Sequence, residues 1–231
     1  MKEAEPEKTG AVIVAAGISQ RMGGVDKVFA PLGGKPVLAK VIDTFQRSRF
    51  IDQIVVVLSP QNIKKGEQLI AENAWLKVTD TCLGGKRRQD SVAAGLELLT
   101  DCRWAVIQDG ARPLVTEDLI EQGLEAARET GAAVAAIPVS DTIKVAGDDH
   151  IVQGTPPRQN LWAVQTPQVF RFNIITEAYR KAAEYEVTDD ARPVEQLGYS
   201  VKVYMGSYDN IKITTPQDQA LAEILWRKQN G

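Results

Sequence analysis

The chain has 231 residues, of which 44% are hydrophobic and 25% are charged, and its formal net charge is −3. This composition is ordinary for a folded, water-soluble protein, and the length suits one α/β domain, so we predict a single domain over residues 1–231. The slight acidic excess argues against a surface that binds nucleic-acid backbones, which normally carries an excess of basic residues.

Several further classes are excluded by what the sequence lacks. The N-terminal ten residues are polar and no apolar run approaches the length that spans a bilayer, so we expect a cytoplasmic protein without a membrane partner. Cys82 and Cys102 have neither a CxxC spacing nor neighbouring histidines, so we predict two buried thiols without a disulfide or a zinc site. The single histidine, His150, lies in the polar turn GDDH, where we expect a solvated side chain rather than a catalytic base.

Apolar runs and amphipathic stretches alternate along the first 140 residues. The apolar runs, rich in β-branched residues, predict strands at 12–15, 54–58, 104–108 and 134–137. The amphipathic stretches predict helices at 35–47, 62–73, 90–99 and 117–130. This alternation predicts an α/β fold with one Rossmann-like, mostly parallel sheet that helices cover on both faces. Such sheets bind their ligands at the carboxyl ends of the strands.

The alternation stops after Pro138. Residues 139–165, here called the arm, contain short extended pieces around the turn GDDH and the rigid sequence TPP. The arm cannot bury its own apolar side chains, so we predict a protruding β-arm that packs on a second copy of the chain in a homodimer. These side chains are Ile143, Val145, Ile151, Val152, Leu161 and Trp162. The alternative is an arm folded onto its own domain, which a monomeric state in solution would favour.

The remaining sequence completes the predicted fold. Helices are expected around Ala178 and Val194, followed by a strand at 201–204 and a final helix from Pro216.

The first predicted strand leads into a loop suited to bind an anion. Residues 11–27 read AVIVAAGISQRMGGVDK, in which the small residues at 15–17 let backbone N–H groups approach a phosphate. Arg21 and Lys27 bring two cations to the same loop. Ser19 stands where a dinucleotide fingerprint needs its second glycine, and no Gly-Lys pair continues with the Ser or Thr of a Walker loop. An anionic substrate is therefore expected.

Four further polar clusters follow predicted strands or lie in loops. They are residues 84–88 (GGKRR) with Ser91, residues 109–113 (DGARP), Arg158 with residues 166–168 (TPQ), and residues 209–212 (DNIK). Most of these residues also have a purely structural explanation. The cations at 86–88 fit an exposed helix start, and Asp109 with Arg112 fits a surface ion pair. The Thr166 hydroxyl could be structural, and Lys212 could be only a charge at a strand end. Asp109 and Arg112 nevertheless follow a buried strand of an open sheet, where ligand contacts are favoured.

Eight motifs occur in a fixed order along nearly the whole chain. They are AAGISQRM, DKVF, a glycine pair leading to RRQDSV, QDGARP, SDTIK, PRQNLWAVQTPQ, VTDDA and DNIKIT. The first motif alone marks only the wider group of sugar nucleotidyltransferases. The ordered set resembles the 2-C-methyl-D-erythritol 4-phosphate cytidylyltransferase family, whose members transfer a cytidylyl group from CTP to a polyol phosphate.

The resemblance implies roles for individual residues. CTP would be bound by Ala15, Ala16, Gly17, Gly85 and Ser91, with Arg21 and Lys27 on its triphosphate. The polyol phosphate would be bound by Asp109, Arg112, Thr166, Thr188 and Lys212, and by Thr142 and Arg158 from the arm of a neighbouring subunit. Some relatives carry an acidic residue at Lys86, so its role is left open.

The implied reaction is attack of the acceptor phosphate on the α-phosphorus of CTP, with release of pyrophosphate. A phosphate monoester loses its second proton near about pH 6, so no general base is required. Cationic side chains must then provide the catalysis. Arg21 and Lys27 would neutralise the CTP phosphates and the leaving pyrophosphate, while Arg158 and Lys212 hold the attacking phosphate in line. Mg²⁺ is expected to arrive with the triphosphate, and no metal site of the protein itself is predicted.

Three other functions stay open on the sequence alone. One is a nucleotidyltransferase that makes another activated sugar, for which residues 142–168 would have to serve a different acceptor. Transfer from CTP to ribitol 5-phosphate, in a sister family, shares the loop, the lysines and the arm and differs only in the polyol. A non-catalytic nucleotide-binding protein on the same scaffold is a different class. It would have no need to keep the acceptor cations Arg158 and Lys212.

Overall fold

The computed structural model describes residues 7–17, 26–182 and 186–230. Its strands are β1 (Thr9–Ala15), β2 (Pro31–Leu32), β3 (Lys35–Pro36), β4 (Gln53–Leu58), β5 (Val78–Leu83), β6 (Trp104–Asp109), β7 (Ala132–Pro138), β8 (Val145–Ala146), β9 (Val152–Gly154), β10 (Trp162–Arg171) and β11 (Lys202–Met205). Its helices are α1 (Val37–Arg47), α2 (Ile63–Asn73), α3 (Arg88–Leu96), α4 (Glu117–Thr130), α5 (Phe172–Lys181), α6 (Ala191–Gln196) and α7 (Pro216–Asn230).

Seven strands form one central sheet in the order β11-β7-β10-β6-β1-β4-β5. β1 pairs in parallel with both β4 and β6, and β10 runs antiparallel to its neighbours β6 and β7. The other pairs, β4 with β5 and β7 with β11, are parallel. The sheet is therefore mostly parallel, as predicted, and the carboxyl ends of β1, β4, β5 and β6 lie along one edge.

Helices cover both faces of the sheet because its central strands are apolar on both sides. Ile13 of β1 faces a core shared with α1 and α4, which contribute Phe45 and Ile120. The adjacent Val12 faces the opposite core, shared with α3, α5 and α6. Every residue of β6 is buried. A strand buried on both faces is mostly apolar, and the two polar residues of β6, Gln108 and Asp109, lie at its carboxyl end.

Sequence signals set both ends of α4, the helix that follows β6. The Thr116 hydroxyl accepts a hydrogen bond from the Leu119 amide at 3.3 Å and caps the first turn. At the other end Gly131 adopts φ 87°, a left-handed conformation that favours glycine. The Thr116 cap ends the loop between β6 and α4, which carries part of the site described below.

The sequence pattern locates most of this fold but misses two strands of the central sheet, β5 and β10. The four early predicted strands correspond to β1, β4, β6 and β7, and the four predicted helices to α1–α4. The missed edge strand is β5, whose sequence VTDTCL is polar because it lies at the sheet edge with its side chains partly exposed. Cys82 of β5 is half-buried, which corrects the prediction of two fully buried thiols, whereas Cys102 is buried. Burial raises the pKa of the Cys102 thiol to about 11.

β10 is not predicted as a strand, because the sequence pattern assigns residues up to 165 to the arm. It begins at Trp162, which pairs with Pro138 of β7, so the last residues of the predicted arm belong to the central sheet. Its register shifts between Val164 and Gln168, where the Thr166–Pro167 peptide bond is cis.

The rest of the arm contains the short antiparallel pair β8 and β9. His150 in the turn between them is exposed, as predicted. The apolar side chains of the arm are exposed or half-buried, and Ile151 is 65% exposed. Within the described ranges, no helix is long and apolar enough to cross a bilayer.

Candidate functional site

A cavity of about 500 Å³ opens at the carboxyl ends of β1, β4 and β5. The residues predicted to bind CTP, namely Ala15, Ala16, Gly17, Gly85 and Ser91, all line this cavity. Lys27 lines it as well, as does the loop after β4, residues 59–61, which the sequence interpretation did not single out. The cavity lies at the edge of the sheet at which α/β proteins bind ligands. We call it the nucleotide cavity because the residues predicted to bind CTP line it.

Two glycines allow the walls of the nucleotide cavity to approach one another closely. A Cβ atom on Gly84 would lie 2.3 Å from the Ala16 Cβ, and one on Gly85 would lie 2.3 Å from the Asp90 Cβ. Only glycine fits such gaps without moving the backbone. The Gly85 amide also donates to the Ser91 hydroxyl at 3.2 Å, which fixes this turn against α3.

Lys27 lies in a turn that follows the anion-binding loop. The Asp26 carboxylate accepts a hydrogen bond from the Val28 amide at 3.1 Å, and the Asp26 carbonyl accepts one from the Phe29 amide at 3.1 Å. A Cβ atom on Gly17 would lie 4.0 Å from the Lys27 Nζ, so the ammonium group lies beside the end of β1. Arg21, the other predicted cation of this loop, lies outside the described residues.

A second cavity, of about 320 Å³, adjoins the first. All five residues that the resemblance assigns to the polyol phosphate within one chain line it: Asp109, Arg112, Thr166, Thr188 and Lys212. Arg88, Asp109 and Lys212 line both cavities. Two ligands bound in the two cavities would therefore meet at these three side chains.

Three cations surround the carboxylate of Asp109. The Lys212 Nζ lies 2.8 Å from Oδ2, the Arg88 Nε lies 3.3 Å from Oδ1, and the Arg112 Nε lies 3.5 Å from Oδ2. The Asp109 amide donates to the Thr166 hydroxyl at 3.0 Å, which joins the end of β6 to β10. We call Asp109 and these three cations the Asp109 cluster.

The charges of the Asp109 cluster are fixed near neutral pH. Burial by itself would raise the pKa of the Asp109 carboxyl, but Arg88, Lys212 and Arg112 outweigh it and hold that pKa well below its usual range. The charges of Asp190 and Asp109 likewise outweigh burial and raise the pKa of Arg88. Burial lowers the pKa of Arg112, yet a guanidinium group stays protonated in proteins. Asp109 is therefore an ionised carboxylate beside two guanidinium cations, Arg88 and Arg112.

The partner of Arg88 is a residue that the sequence interpretation missed. Arg88 donates two hydrogen bonds of 2.7 Å to the two carboxylate oxygens of Asp190, whose side chain is completely buried. The Tyr179 hydroxyl also donates to this carboxylate. The expectation of an exposed helix start at 86–88 thus fails for Arg88, because its guanidinium group bridges Asp190 and Asp109. The two adjacent aspartates of the VTDDA motif are the sequence feature that could have indicated Asp190. Nothing near Asp190 in the sequence identifies Arg88, which lies 102 residues away, as its partner.

Two predicted site residues lie in the arm and away from both cavities. Thr142 is exposed, and the Arg158 guanidinium donates to the Ser140 carbonyl at 2.6 Å. Neither lines either cavity in the described part of this chain. Their role in the pocket of a neighbouring subunit stays a prediction.

Comparison with known proteins gives one consistent family. A family model described as "IspD: 2-C-methyl-D-erythritol 4-phosphate cytidylyltransferase" matches residues 9–228. A 2-C-methyl-D-erythritol 4-phosphate cytidylyltransferase of Dehalococcoides mccartyi is 54% identical over 96% of this chain and 97% of its own length. The protein of the same name from Alkaliphilus oremlandii is 43% identical over 97% of this chain and 98% of its own.

Solved structures agree with the sequence relatives. The crystal structure of 4-diphosphocytidyl-2C-methyl-D-erythritol synthase from Anaerococcus prevotii matches with a TM-score of 0.84 and 31% identity, covering 96% of each chain. The crystal structure of 2-C-methyl-D-erythritol 4-phosphate cytidylyltransferase from Thermus thermophilus matches with a TM-score of 0.76 and 34% identity, covering 94% of this chain and 98% of that one.

Proposed function

The chain belongs to the 2-C-methyl-D-erythritol 4-phosphate cytidylyltransferase family, and from this premise we propose how its residues perform the reaction. The enzyme transfers the cytidylyl group of CTP to 2-C-methyl-D-erythritol 4-phosphate, a step of the non-mevalonate route to isoprenoids. One observation supports the assignment of residues: the two cavities share the wall formed by Arg88, Asp109 and Lys212. CTP occupies the nucleotide cavity and the polyol phosphate occupies the second.

The reaction needs no proton transfer from the enzyme. An oxygen of the acceptor phosphate attacks the α-phosphorus of CTP and forms a new P–O bond. The bond from the α-phosphorus to the bridging oxygen breaks, and its electrons leave with pyrophosphate. The acceptor phosphate is mostly a dianion at neutral pH because its second pKa is about 6.

The main barrier is the approach of two polyanions. Two like charges about 4 Å apart repel by about 4 kcal/mol at an effective dielectric constant of about 20, and each reactant carries several charges. Lys27, with Arg21 of the same loop, stabilises the triphosphate and the charge that builds on the leaving pyrophosphate. Lys212 lies on the wall between the cavities and holds the attacking phosphate in line.

The second cavity suits a polyol that carries a phosphate. The Asp109 carboxylate is an acceptor for hydroxyl groups, and Arg112, Thr166 and Thr188 supply donors around it. The three surrounding cations keep Asp109 ionised despite its burial, so its acceptor capacity does not change near neutral pH.

Mg²⁺ enters this proposal as part of the substrate, since enzymes of phosphoryl transfer bind triphosphates together with Mg²⁺. Among the residues that the structure describes, no group of three or more His, Cys, Asp and Glu side chains could hold a metal ion. No step is therefore assigned to a metal bound by the protein itself.

A homodimer completes the proposal. Ile151, Val152 and Val145 of the arm are each at least half exposed, which is unfavourable unless a second copy covers them. Thr142 and Arg158 lie in the same segment, so dimerisation would bring them to the acceptor cavity of the second copy. The cytoplasmic location stays a prediction from composition.

The direct test is release of pyrophosphate from each of the four nucleoside triphosphates with each candidate acceptor. We expect release with CTP and 2-C-methyl-D-erythritol 4-phosphate and little with the other pairs. A preference for ribitol 5-phosphate would overturn the choice of polyol. CTP binding without pyrophosphate release from any acceptor would favour the non-catalytic alternative.

A further inference from the structure

Four buried amide side chains lie at or next to the second cavity, and two of them, Gln165 and Gln168, line it. Gln108, Gln165, Gln168 and Asn210 are each at most 6% exposed. An amide both donates and accepts hydrogen bonds and carries no charge, so it can be buried at low cost when its bonds are made. Gln168 donates to the Gln165 carbonyl at 3.2 Å, and Gln165 donates to the Ser207 carbonyl at 2.9 Å. These amides connect β10 with the segment that follows β11.

Asn210 occupies the junction of this network. Its Nδ2 donates to the Thr166 carbonyl at 2.8 Å and to the Gln165 Oε1 at 3.3 Å. Its backbone carbonyl accepts a hydrogen bond of 2.7 Å from the Arg112 guanidinium group. One residue therefore contacts both Thr166 and Arg112, which the proposed function places on the acceptor.

The same residue restrains Lys212. The chain around Lys212 is fixed on one side by the bond from Arg112 to the Asn210 carbonyl and on the other by the Ile213 amide, which donates to the Ala111 carbonyl at 2.8 Å. Between these two points the Lys212 Nζ reaches Asp109. A shift of Asn210 would move the Lys212 backbone relative to β6.

We propose that Asn210 is a positioning residue for the acceptor phosphate. Its side-chain amide binds the Thr166 carbonyl and Gln165, and this contact fixes the Asn210 backbone, whose carbonyl binds Arg112 and which leads into Lys212. The inference rests on the proposed function, since it assigns a role in the same site. Catalytic groups must be held within a fraction of an ångström, and a fully buried amide with two defined acceptors provides such a restraint. Asn210 itself does not line either cavity in the described part of the chain, so it acts through the residues that it contacts.

The side chain of Asn210 offers a selective substitution. Its Nδ2 is bonded, whereas its Oδ1 is buried without a hydrogen-bond partner among the described residues. Asn210→Asp keeps the shape and replaces only the bonded amino group with an oxygen. That oxygen faces two acceptors, the Thr166 carbonyl and the Gln165 Oε1, and the contact becomes repulsive.

The experiment measures steady-state kinetics for both substrates. For Asn210→Asp we expect kcat/KM for 2-C-methyl-D-erythritol 4-phosphate to fall about 10- to 100-fold, the usual effect of leaving a buried partner unsatisfied. KM for CTP should change by less than about twofold, because Thr166 and Arg112 line only the second cavity and Lys212 alone of the three residues also lines the nucleotide cavity. A buried carboxyl group has a raised pKa and donates when protonated. The variant should therefore regain activity relative to the wild type as the pH falls from about 8 to about 6.

A matched control removes the same kind of bond elsewhere. The Asn73 Nδ2 donates to the Leu69 carbonyl at 2.8 Å at the end of α2, outside the lining of both cavities. Asn73→Asp should leave both KM values and their pH dependence unchanged. If Asn210→Asp does not fold, Asn210→Ser, which keeps one donor, replaces it in the experiment. We expect a smaller fall in kcat/KM for the acceptor with this variant.

Three outcomes would overturn the proposal. An unchanged kcat/KM for the acceptor in a folded Asn210 variant would remove the positioning role and leave the proposed function intact, provided that the wild type is active. An equal rise of both KM values would indicate a general structural defect instead. A wild type that releases no pyrophosphate would remove the function and this role together.

Discussion

The Asp109 cluster and the arm both carry residues assigned to the acceptor, but they are held in opposite ways. In the cluster, Asp109 is buried and its contacts with Lys212, Arg88 and Arg112 all come from one chain. In the arm, Thr142 is exposed and Arg158 contacts only a backbone carbonyl of the arm itself, at Ser140, among the described residues.

Because of this difference, we expect substitutions in the cluster and in the arm to have different effects. The cluster is preorganised by burial and ion pairing, so its substitution should affect folding and activity together. The arm exposes its apolar side chains, so its substitution should act through assembly and should depend on protein concentration.

Asp109→Asn is expected to have the largest effect. Removing the carboxylate charge leaves Arg88, Arg112 and Lys212 to repel one another, and breaking a buried ion pair costs about 3–5 kcal/mol. We expect about 3 kcal/mol, because Lys212 is one-third exposed and can turn toward solvent. Activity should fall at least about 100-fold. Urea unfolding and pyrophosphate release measure the two effects.

The control for Asp109→Asn is the same substitution at Asp148, which is exposed in the turn of the arm. Its stability and activity should match those of the wild type. Wild-type stability for Asp109→Asn would contradict the view of the cluster as a preorganised unit.

Lys27→Ala tests a cation of the nucleotide cavity. The loss of a positioned charge on the triphosphate should lower kcat about 100-fold or more. Folding should change little, since Lys27 lies at the cavity wall rather than in the core. Pyrophosphate release and thermal unfolding give the two values, with Lys64→Ala on the exposed face of α2 as the control. Near-normal turnover in the folded variant would remove Lys27 from the catalytic groups.

Ile151→Lys tests whether a second copy of the chain covers the arm. If a second copy covers this side chain, a buried lysine should weaken the dimer and lower activity about 10-fold at low protein concentration. The stability of the separate chain should not change, because Ile151 is 65% exposed. Analytical ultracentrifugation and activity measured against protein concentration report the effect.

Ile224→Lys is a matched control for the arm, since Ile224 on α7 is 66% exposed. It should leave both the oligomeric state and activity unchanged. A monomeric wild type would instead favour the arm folded onto its own domain.

The smallest expected effect is a pH dependence of stability. The folded-state pKa of Asp109 is depressed, so its ionised form stabilises the fold above the unfolded-state pKa of about 4, and this contribution is lost as the pH falls below that value. The difference in unfolding free energy between the wild type and Asp109→Asn should therefore shrink by about 1–2 kcal/mol from pH 7 to about pH 3. Urea unfolding at several pH values measures it. A constant difference would mean that the carboxylate is not preferentially stabilised in the folded state.

The sequence by itself determined the elements whose signal is local. The period of apolar residues identifies β1, β4, β6 and β7 and the helices between them, because burial on a face repeats along the chain. Small residues at 15–17 and the glycine pair at 84–85 identify the nucleotide cavity, since only such residues allow the close approach seen at Gly84. The ordered motifs identify the family, and most of the predicted ligand residues line the two cavities.

Only the tertiary structure revealed the features that depend on contacts between distant segments of the chain. The edge strand β5 is polar and half exposed, so its own sequence gives little signal, and only pairing with β4 makes it a strand. The bond between Arg88 and Asp190 joins residues 102 positions apart, and the role of Asn210 arises from contacts with Arg112 and Thr166. Ion pairs and buried amides have no periodicity along a chain, because their energy comes from partners that folding alone brings together.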